Sequence, residues 1–476
     1  MPQPEHDTLP LLSSQLHTLI QAGWEQEVLS QLPANYEPQA RTMGAFVRAR
    51  RLRCVGDLLR GLLAYVLCAP SLRQLGAWAV LIGLANLSHV AWQKRLRHAR
   101  DWLLWLLIEL LAVPAPTRAV TQSRIVLIDA TRLKEPGGCG DDWRVHLGYD
   151  LLAGRLVDVR VSDRHTAEGF TLFDLRAGDL VVADRGYCRR SQLASVLGRG
   201  AHVVIRLAVF QVPLLDEQGQ PFDVLAWLKE RGSGQHQCLV AFEHEGGRFA
   251  GRLIACSLPQ EAAERARAKE RRKASKQQRQ LKEETLYLCG WLLLFTSLPS
   301  KDWSDSQVLT LYRARWQIEL LIKRMKQLLK LAQLRGQTAL TNEATILALL
   351  VAWSLLQPEV ACARQVLSQA VQQWQTAHDK PLDRAEGVEP GAPLATDTTT
   401  TLSSWTITAL CVQTLRQLVQ GCWTFARLYV CWPFLRRFLA QRRRRQHQET
   451  TIRGQLLDRL GPLTAAASAL FFCSSA

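Results

Sequence analysis

None of the chain's twelve cysteines falls in a Cys-x-x-Cys pair or in a Cys/His cluster at zinc-ligand spacing. That argues against a disulfide framework or a zinc site and suits a reducing, cytoplasmic compartment. The opening "MPQPEHDTLPLLSS" lacks the basic region followed by an apolar one that marks a secretory leader. No GxxxxGKS or GxxxxGKT phosphate cradle occurs, so nothing points to ATP use. The most apolar runs, "DWLLWLLIELLAV" (101 to 113) and "ATILALLVAWSLL" (344 to 356), stop short of the roughly 20 residues that a bilayer span needs. Both are expected to be buried helices, and no membrane span is expected.

What the chain does have is length and positive charge. At 476 residues it exceeds one ordinary domain, and its 47% hydrophobic content supports a sizeable core. Lys and Arg outnumber Asp and Glu by 59 to 42, giving a net charge of +17 and a pI of about 9.7. Such an excess favours a polyanionic partner, nucleic acid first and an anionic membrane surface second.

Residues 1 to 118 have helical patterning throughout. Within "SLRQLGAWAVLIGLANLSHVAWQKRLRHARDWL" (71 to 103) two helices flank a break at Gly83 to Asn86, and the second carries Lys94, Arg95 and Arg97. A helix pair of this kind is the form of a helix-turn-helix DNA reader, and equally of a bundle that binds nothing. From about 119 the texture changes to short β-rich runs. "SRIVLIDA" reads as a strand ending in Asp129, with "WRVHLGYDL" and "RLVDVRVSD" as hairpin partners. A helix-like "TAEGFTLFDLR" precedes a second apolar strand, "GDLVVADRGY", ending in Asp184; the helix "RRSQLASVLGRG" and the strand "HVVIRL" follow. These elements predict an α/β sheet with two aspartates at strand ends.

Residues 208 to 285 read as a β-rich insertion closed by "EAAERARAKERRKASKQQRQLKEE", with nine basic and five acidic residues at high helix propensity. That run is either a solvated helix face or a tracker of phosphate. "LYLCGWLLLFTSLP" resumes a buried strand, and helices are expected over 303 to 335 and 342 to 376. Residues 379 to 404 are a Pro, Gly and Thr rich linker. A helical, basic section, 405 to 476, carries "RRFLAQRRRRQHQ", for which a nonspecific electrostatic tether is the expected role.

In "YRARWQIELLIKRMKQLLK" (312 to 330), Glu319 sits among six arginines and lysines. At about 100° per residue, Tyr312, Arg315, Glu319 and Lys326 share an arc of about 60° beside an apolar stripe from Leu311 to Leu329. An ordinary amphipathic helix would pair Glu319 with Lys323 at i,i+4, worth a few tenths of a kcal/mol. Asp129 and Asp184 suggest another role for it. Carboxylates on adjacent strand ends, joined by one from a packed helix, suit two divalent ions about 3.5–4 Å apart for in-line phosphoryl displacement. An oxygen-only donor set suits Mg2+. "SDRHTAEG" offers Asp163, His165 and Glu168 as a rival metal cluster, or as a capped helix start. Asp141 and Asp142 are placed in a hairpin loop.

These residues resemble the DDE transposases of bacterial insertion sequences, in the insertion-sequence-four branch. "LIDAT" carries the first Asp, "VVADRGY" the second, and "YRARWQIELLIKRMK" repeats the Tyr, Arg, Glu, Lys signature without a gap. Spacings of 55 residues from Asp129 to Asp184 and 135 from Asp184 to Glu319 are similar to those of a member with an inserted β domain. The resemblance implies a ribonuclease H-like catalytic core, assigned to 119–207 and 286–378, interrupted by the insertion at 208–285 and flanked by helical regions. It implies cleavage at element ends, strand transfer into target DNA, and a homodimer on paired ends of double-stranded DNA in the bacterial nucleoid. Asp129, Asp184 and Glu319 would bind two Mg2+ ions, with Mn2+ as a substitute. Tyr312, Arg315 and Lys326 would contact DNA phosphate, with Lys323 beside them; from the helix pair broken at Gly83 to Asn86, Lys94, Arg95 and Arg97 are expected to contact the element ends. Two other functions fit parts of this pattern: a ribonuclease H-like DNA nuclease without strand transfer, and a non-catalytic DNA-binding protein derived from a transposase.

Overall fold

The structure is a computed structural model that describes residues 23–68, 71–112, 124–138, 141–378 and 403–421, with side chains up to 366 in the long helix. The basic "RRFLAQRRRRQHQ" run and nearly all of the 379 to 404 linker lie outside the described residues. The fold is mixed α/β, and the described residues divide into two compact units. The first lies within Met1–Val113, Leu133–Asp142 and Lys323–His447, the second within Pro114–Arg132 and Trp143–Ile322. The range 286 to 378, expected to belong to one core, is therefore divided between them.

The first unit is helical. Ser71 and Gln74 form a capping box that starts the helix Leu72–Leu81, Gly83 turns the chain at φ +67°, and Ser88 caps the helix His89–His98. Gly61 lets the helix Val55–Cys68 approach Trp92, which is fully buried. A Cβ at Gly61 would stand 2.2 Å from Trp92 Cη2. Gly61→Ala is therefore expected to destabilise this unit by about 1–3 kcal/mol despite alanine's better helix propensity, because a packed core has no room for the methyl. Thermal melts of the two proteins test it, and an unchanged midpoint would refute the close approach.

Two arginines join helices that are far apart in sequence. Arg60 donates to the Leu418 and Val419 carbonyls at the end of the helix Ser404–Gln420. Arg416 returns the favour to the Leu67 carbonyl at the end of Val55–Cys68 and also binds the Leu328 carbonyl. Each guanidinium donates to carbonyls in the last turn of a helix, where intrahelical partners run out. The apolar run at 344 to 356 belongs to the 40-residue helix Ala339–His378. Its stretch Ala339–Val366 is long and apolar enough to cross a membrane, longer than the sequence runs suggest. Burial accounts for that composition, since 67% of its most apolar window is inside the protein.

The second unit is built on a ten-stranded mixed sheet. Its strands are β1 (Ile125–Leu133), β2 (Trp143–Asp150), β3 (Arg155–Asp163), β4 (Leu180–Ala183), β5 (His202–Arg206), β6 (Leu214–Leu215), β7 (Pro221–Phe222), β8 (Gln235–His244), β9 (Gly247–Ser257) and β10 (Trp291–Thr296). Their order is β3-β2-β1-β4-β5-β10-β9-β8-β6-β7. The centre, β1-β4-β5, is parallel, and its strands are continuous apolar runs because both faces are covered. The β-rich stretch after 207 continues this same sheet through β10, antiparallel to both β5 and β9. Glu245 and Gly246, both at positive φ, make the two-residue turn between β8 and β9.

Two expected elements differ. "TAEGFTLFDLR" forms only a short 3-10 turn, Phe170–Leu172, because the backbone is extended on either side of it, at Gly169 and at Phe173, with both phenylalanines buried. "LYLCGWLLLFTSLP" is the end of a short helix, Glu283–Leu288, followed by β10 after Gly290.

Candidate active site

Strand register positions the two aspartates. β1 and β4 pair in parallel up to Ile128↔Ala183, and β4 and β5 pair up to Ala183↔Ile205. The next residues along the three strands are Asp129, Asp184 and Arg206, which therefore line up side by side on one face. Asp129 lies within β1 rather than at its end, but at the end of the segment paired with β4. Asp184 opens the 3-10 turn Arg185–Tyr187.

Glu319 arrives from the other direction. A Ser304/Gln307 capping box starts the helix Asp305–Ala314, and a second helix, Trp316–Leu328, carries Glu319 in its first turn. At Arg315 the backbone tightens, with Arg315 N–H on the Tyr312 carbonyl and Ile318 N–H on that of Arg315. One continuous helix was the simpler expectation. Leu311, Ala314, Ile318 and Leu321 bury the apolar stripe and leave Tyr312, Arg315 and Glu319 partly exposed.

Arg315 links the carboxylates. Its Nη2 donates to Glu319 Oε1, its Nη1 is 3.9 Å from Asp129 Oδ2, and its guanidinium lies 5.8 Å from the Tyr312 ring centroid. The i,i+4 partner of Glu319 is thus Arg315 and not Lys323, whose side chain is exposed. Burial pushes the Asp129 carboxyl up to about 6; Glu319 and Asp184 add to this, while the Ala130 N–H and Arg315 oppose it. Burial works against the Arg315 charge, yet Tyr312, Glu319 and Asp184 together raise its pKa. Burial and then Asp184 raise the Tyr312 phenol, with Arg315 and Arg206 opposing. Three acids and two cations therefore share one electrostatic neighbourhood. Among the described residues no group of three or more His, Cys, Asp or Glu is close enough to hold a metal ion as the side chains lie.

Residues 121–355, which include Asp129, Asp184 and Glu319, match the family model of the transposase DDE domain. The chain is 37% identical over 332 residues to a transposase, InsL, for insertion sequence element IS186A of Escherichia coli (strain K12), spanning 68% of this chain and 90% of that protein. The chain belongs to the insertion-sequence DDE transposases. The transposase for insertion sequence element IS421 of Escherichia coli is also 37% identical, over 336 residues, with 68% and 90% covered. A more distant relative, the transposase for IS231E of Bacillus thuringiensis subsp. finitimus, is 24% identical over 287 residues, or 53% of this chain and 60% of its own.

Other residues singled out in the sequence of this transposase lie elsewhere or are otherwise engaged. Asp163 is exposed and accepts from the His165 and Thr166 N–H groups, while Glu168 lies 3.7 Å from Arg144. The rival trio Asp163, His165 and Glu168 is not assembled as a metal cluster. Asp142 accepts from the Glu135 N–H within its loop. On the helix His89–His98, Arg97 donates to Thr341 and Arg95 lies 5.8 Å from the Phe46 ring centroid, so two of the three expected DNA-contacting cations already have protein partners. Lys94 is exposed, and Lys326 is half-buried. Arg206 is the residue that motif reading missed; aligning "VVAD" with "VVIR" as parallel neighbours would have found it.

Next to the site on β2, His146 is wholly buried with Nε2 2.9 Å from Ser162 Oγ. Burial, helped by Arg144, holds the imidazole down at about 4. The unfolded chain thus binds the proton more readily between about 6.5 and 4. Stability from this group is complete above pH 6.5 and is lost as the pH falls toward 4. His146→Gln is expected to flatten that part of the pH–stability curve, and parallel curves for the two proteins would refute the assignment.

Proposed function

We propose that this transposase cuts DNA at the ends of its insertion sequence and joins the freed ends to target DNA, on a ribonuclease H-like core. The observation that carries the proposal is the register that puts Asp129 beside Asp184, with Arg315 bridging Asp129 to Glu319. The oxygen-only donors suit Mg2+, with Mn2+ as a substitute. Asp129, Asp184 and Glu319 would hold two such ions, Glu319 giving up its ion pair with Arg315 to do so. When bound, the ions supply an activated attacking oxygen and stabilise the leaving one.

The chain's own residues bind and orient the DNA. Tyr312, Arg315, Lys323 and Lys326 take phosphates near the cleaved bond, and Lys94, with any part of Arg95 and Arg97 that their protein partners leave available, takes element-end DNA. Residues 1–118 are the end-binding region, 119–207 and 286–378 the catalytic region, and 208–285 the insertion. Residues 379–404 are a linker, and 405–476 a helical basic region whose run at 436–448 acts as a nonspecific electrostatic tether. Two protomers would act on paired ends of double-stranded DNA in the cytoplasm, at the nucleoid.

Incubating the protein with Mg2+, a duplex carrying an element end and a target plasmid tests the proposal. Cleaved ends and joined products are expected. Cleavage without joining would leave a nuclease, and end binding without cleavage a DNA-binding derivative.

A further inference from the structure

The basic helix Gln260–Lys276 has one face committed to the protein. Ala263 and Ala274 are buried, and Arg267 Nε donates to the Leu286 carbonyl at 3.2 Å. Two of its acidic residues are engaged nearby, Glu261 with Arg265 at 3.4 Å and Glu270 with Arg279 at 2.7 Å. On the opposite face, Arg265, Lys269, Arg272 and Lys276 are all exposed. At about 100° per residue they fall within an arc of about 60°; Glu261 stands at its edge and pairs with Arg265, and no acidic residue lies among Lys269, Arg272 and Lys276 on this arc. The stripe is about 16 Å long at 1.5 Å per residue.

A helix that only faces solvent gains from opposite charges at i,i+4 and i,i+3 and loses a few tenths of a kcal/mol for each like pair. This stripe sets like charges at every such step: 265 with 269, 269 with 272, and 272 with 276. The repulsion is relieved by a polyanion laid along it. The helix lies in the connection from β9 to β10, and β10 pairs with β5, the strand that carries Arg206.

We propose that Lys269, Arg272 and Lys276, with Arg265 at their head, form a phosphate track for the DNA duplex on which the chain acts. The inference rests on the function proposed above and adds a binding surface to it. Each phosphate neutralised by a cation contributes about 0.9 to the slope of log affinity against log salt.

The test uses the full chain and an element-end duplex across a salt series. The variant Lys269→Gln/Arg272→Gln/Lys276→Gln is expected to lower the slope by about two to three units and to weaken binding about tenfold or more at physiological salt. The charge-keeping variant Lys269→Arg/Arg272→Lys/Lys276→Arg is expected to bind as the wild type does. Equal slopes for the glutamine variant and wild type overturn the track. So does equal weakening by both variants, which would assign the helix a packing role, or a loss seen only with anionic vesicles and not with DNA. Cleavage assays of Asp129→Asn in the otherwise unaltered chain keep the two ideas separate. Surviving cleavage there sinks the proposed active site, whereas the salt slope alone decides the track.

Discussion

Replacing Asp129 by asparagine is expected to abolish end cleavage, by at least about a thousandfold, while end binding persists. Asp184→Asn and Glu319→Gln are expected to do the same. The three acids converge from β1, from the turn after β4 and from the helix Trp316–Leu328, and all bear on Arg315 or on one another. On the proposed function, removing one takes away a Mg2+ ligand but no cation that would face DNA, so binding is expected to stay or tighten slightly. Thermal melts serve as the control. Asp129 is partly buried close to two other carboxylates, and neutralising it relieves repulsion, so the variant is expected to melt no lower than wild type. Nicking and gel-shift assays on one end substrate with Mg2+ decide the matter, and cleavage that survives in any one variant removes that residue from the site.

The largest stability loss is expected at Arg252. This β9 residue is 3% exposed, and its guanidinium donates to the Leu298 and Trp303 carbonyls, to Gln237 Oε1 and to Asp305 Oδ1, at 2.8 to 3.0 Å. It thereby fastens the connection from β10 to the helix Asp305–Ala314, which aims Tyr312 and, through the Arg315 joint, Glu319. Arg252→Met strands the Asp305 carboxylate and two carbonyls, at a cost of about 3–5 kcal/mol. Arg252→Lys is expected to recover little, since an ammonium lacks the planar fork that reaches four acceptors at once. Denaturant melts test both, and a loss under about 1 kcal/mol in the methionine variant would contradict this account of the connection.

Family membership was legible in the sequence because it rests on short motifs, "LIDAT", "VVADRGY" and "YRARWQIELLIKRMK", whose residues and spacing survive in one dimension. The central strands were legible too: parallel strands covered on both faces read as unbroken apolar runs, as in "RIVLI" and "LVVA". Local pattern misjudged "TAEGFTLFDLR", whose two phenylalanines are drawn into the core by neighbours far away in the chain.

Sequence by itself therefore determined the family, the mixed α/β character and which acids to examine, since each depends on residue type at fixed local spacing. Only the tertiary structure decided what those acids meet. Arg206 joins the row because β5 lies in register with β4, and Arg315 turns toward Glu319 and Asp129 because the helix tightens at that residue. The arginine caps between Val55–Cys68 and Ser404–Gln420 join residues more than 340 positions apart. Contacts of this kind are set by register and packing between distant segments, for which a linear pattern carries no periodic signal.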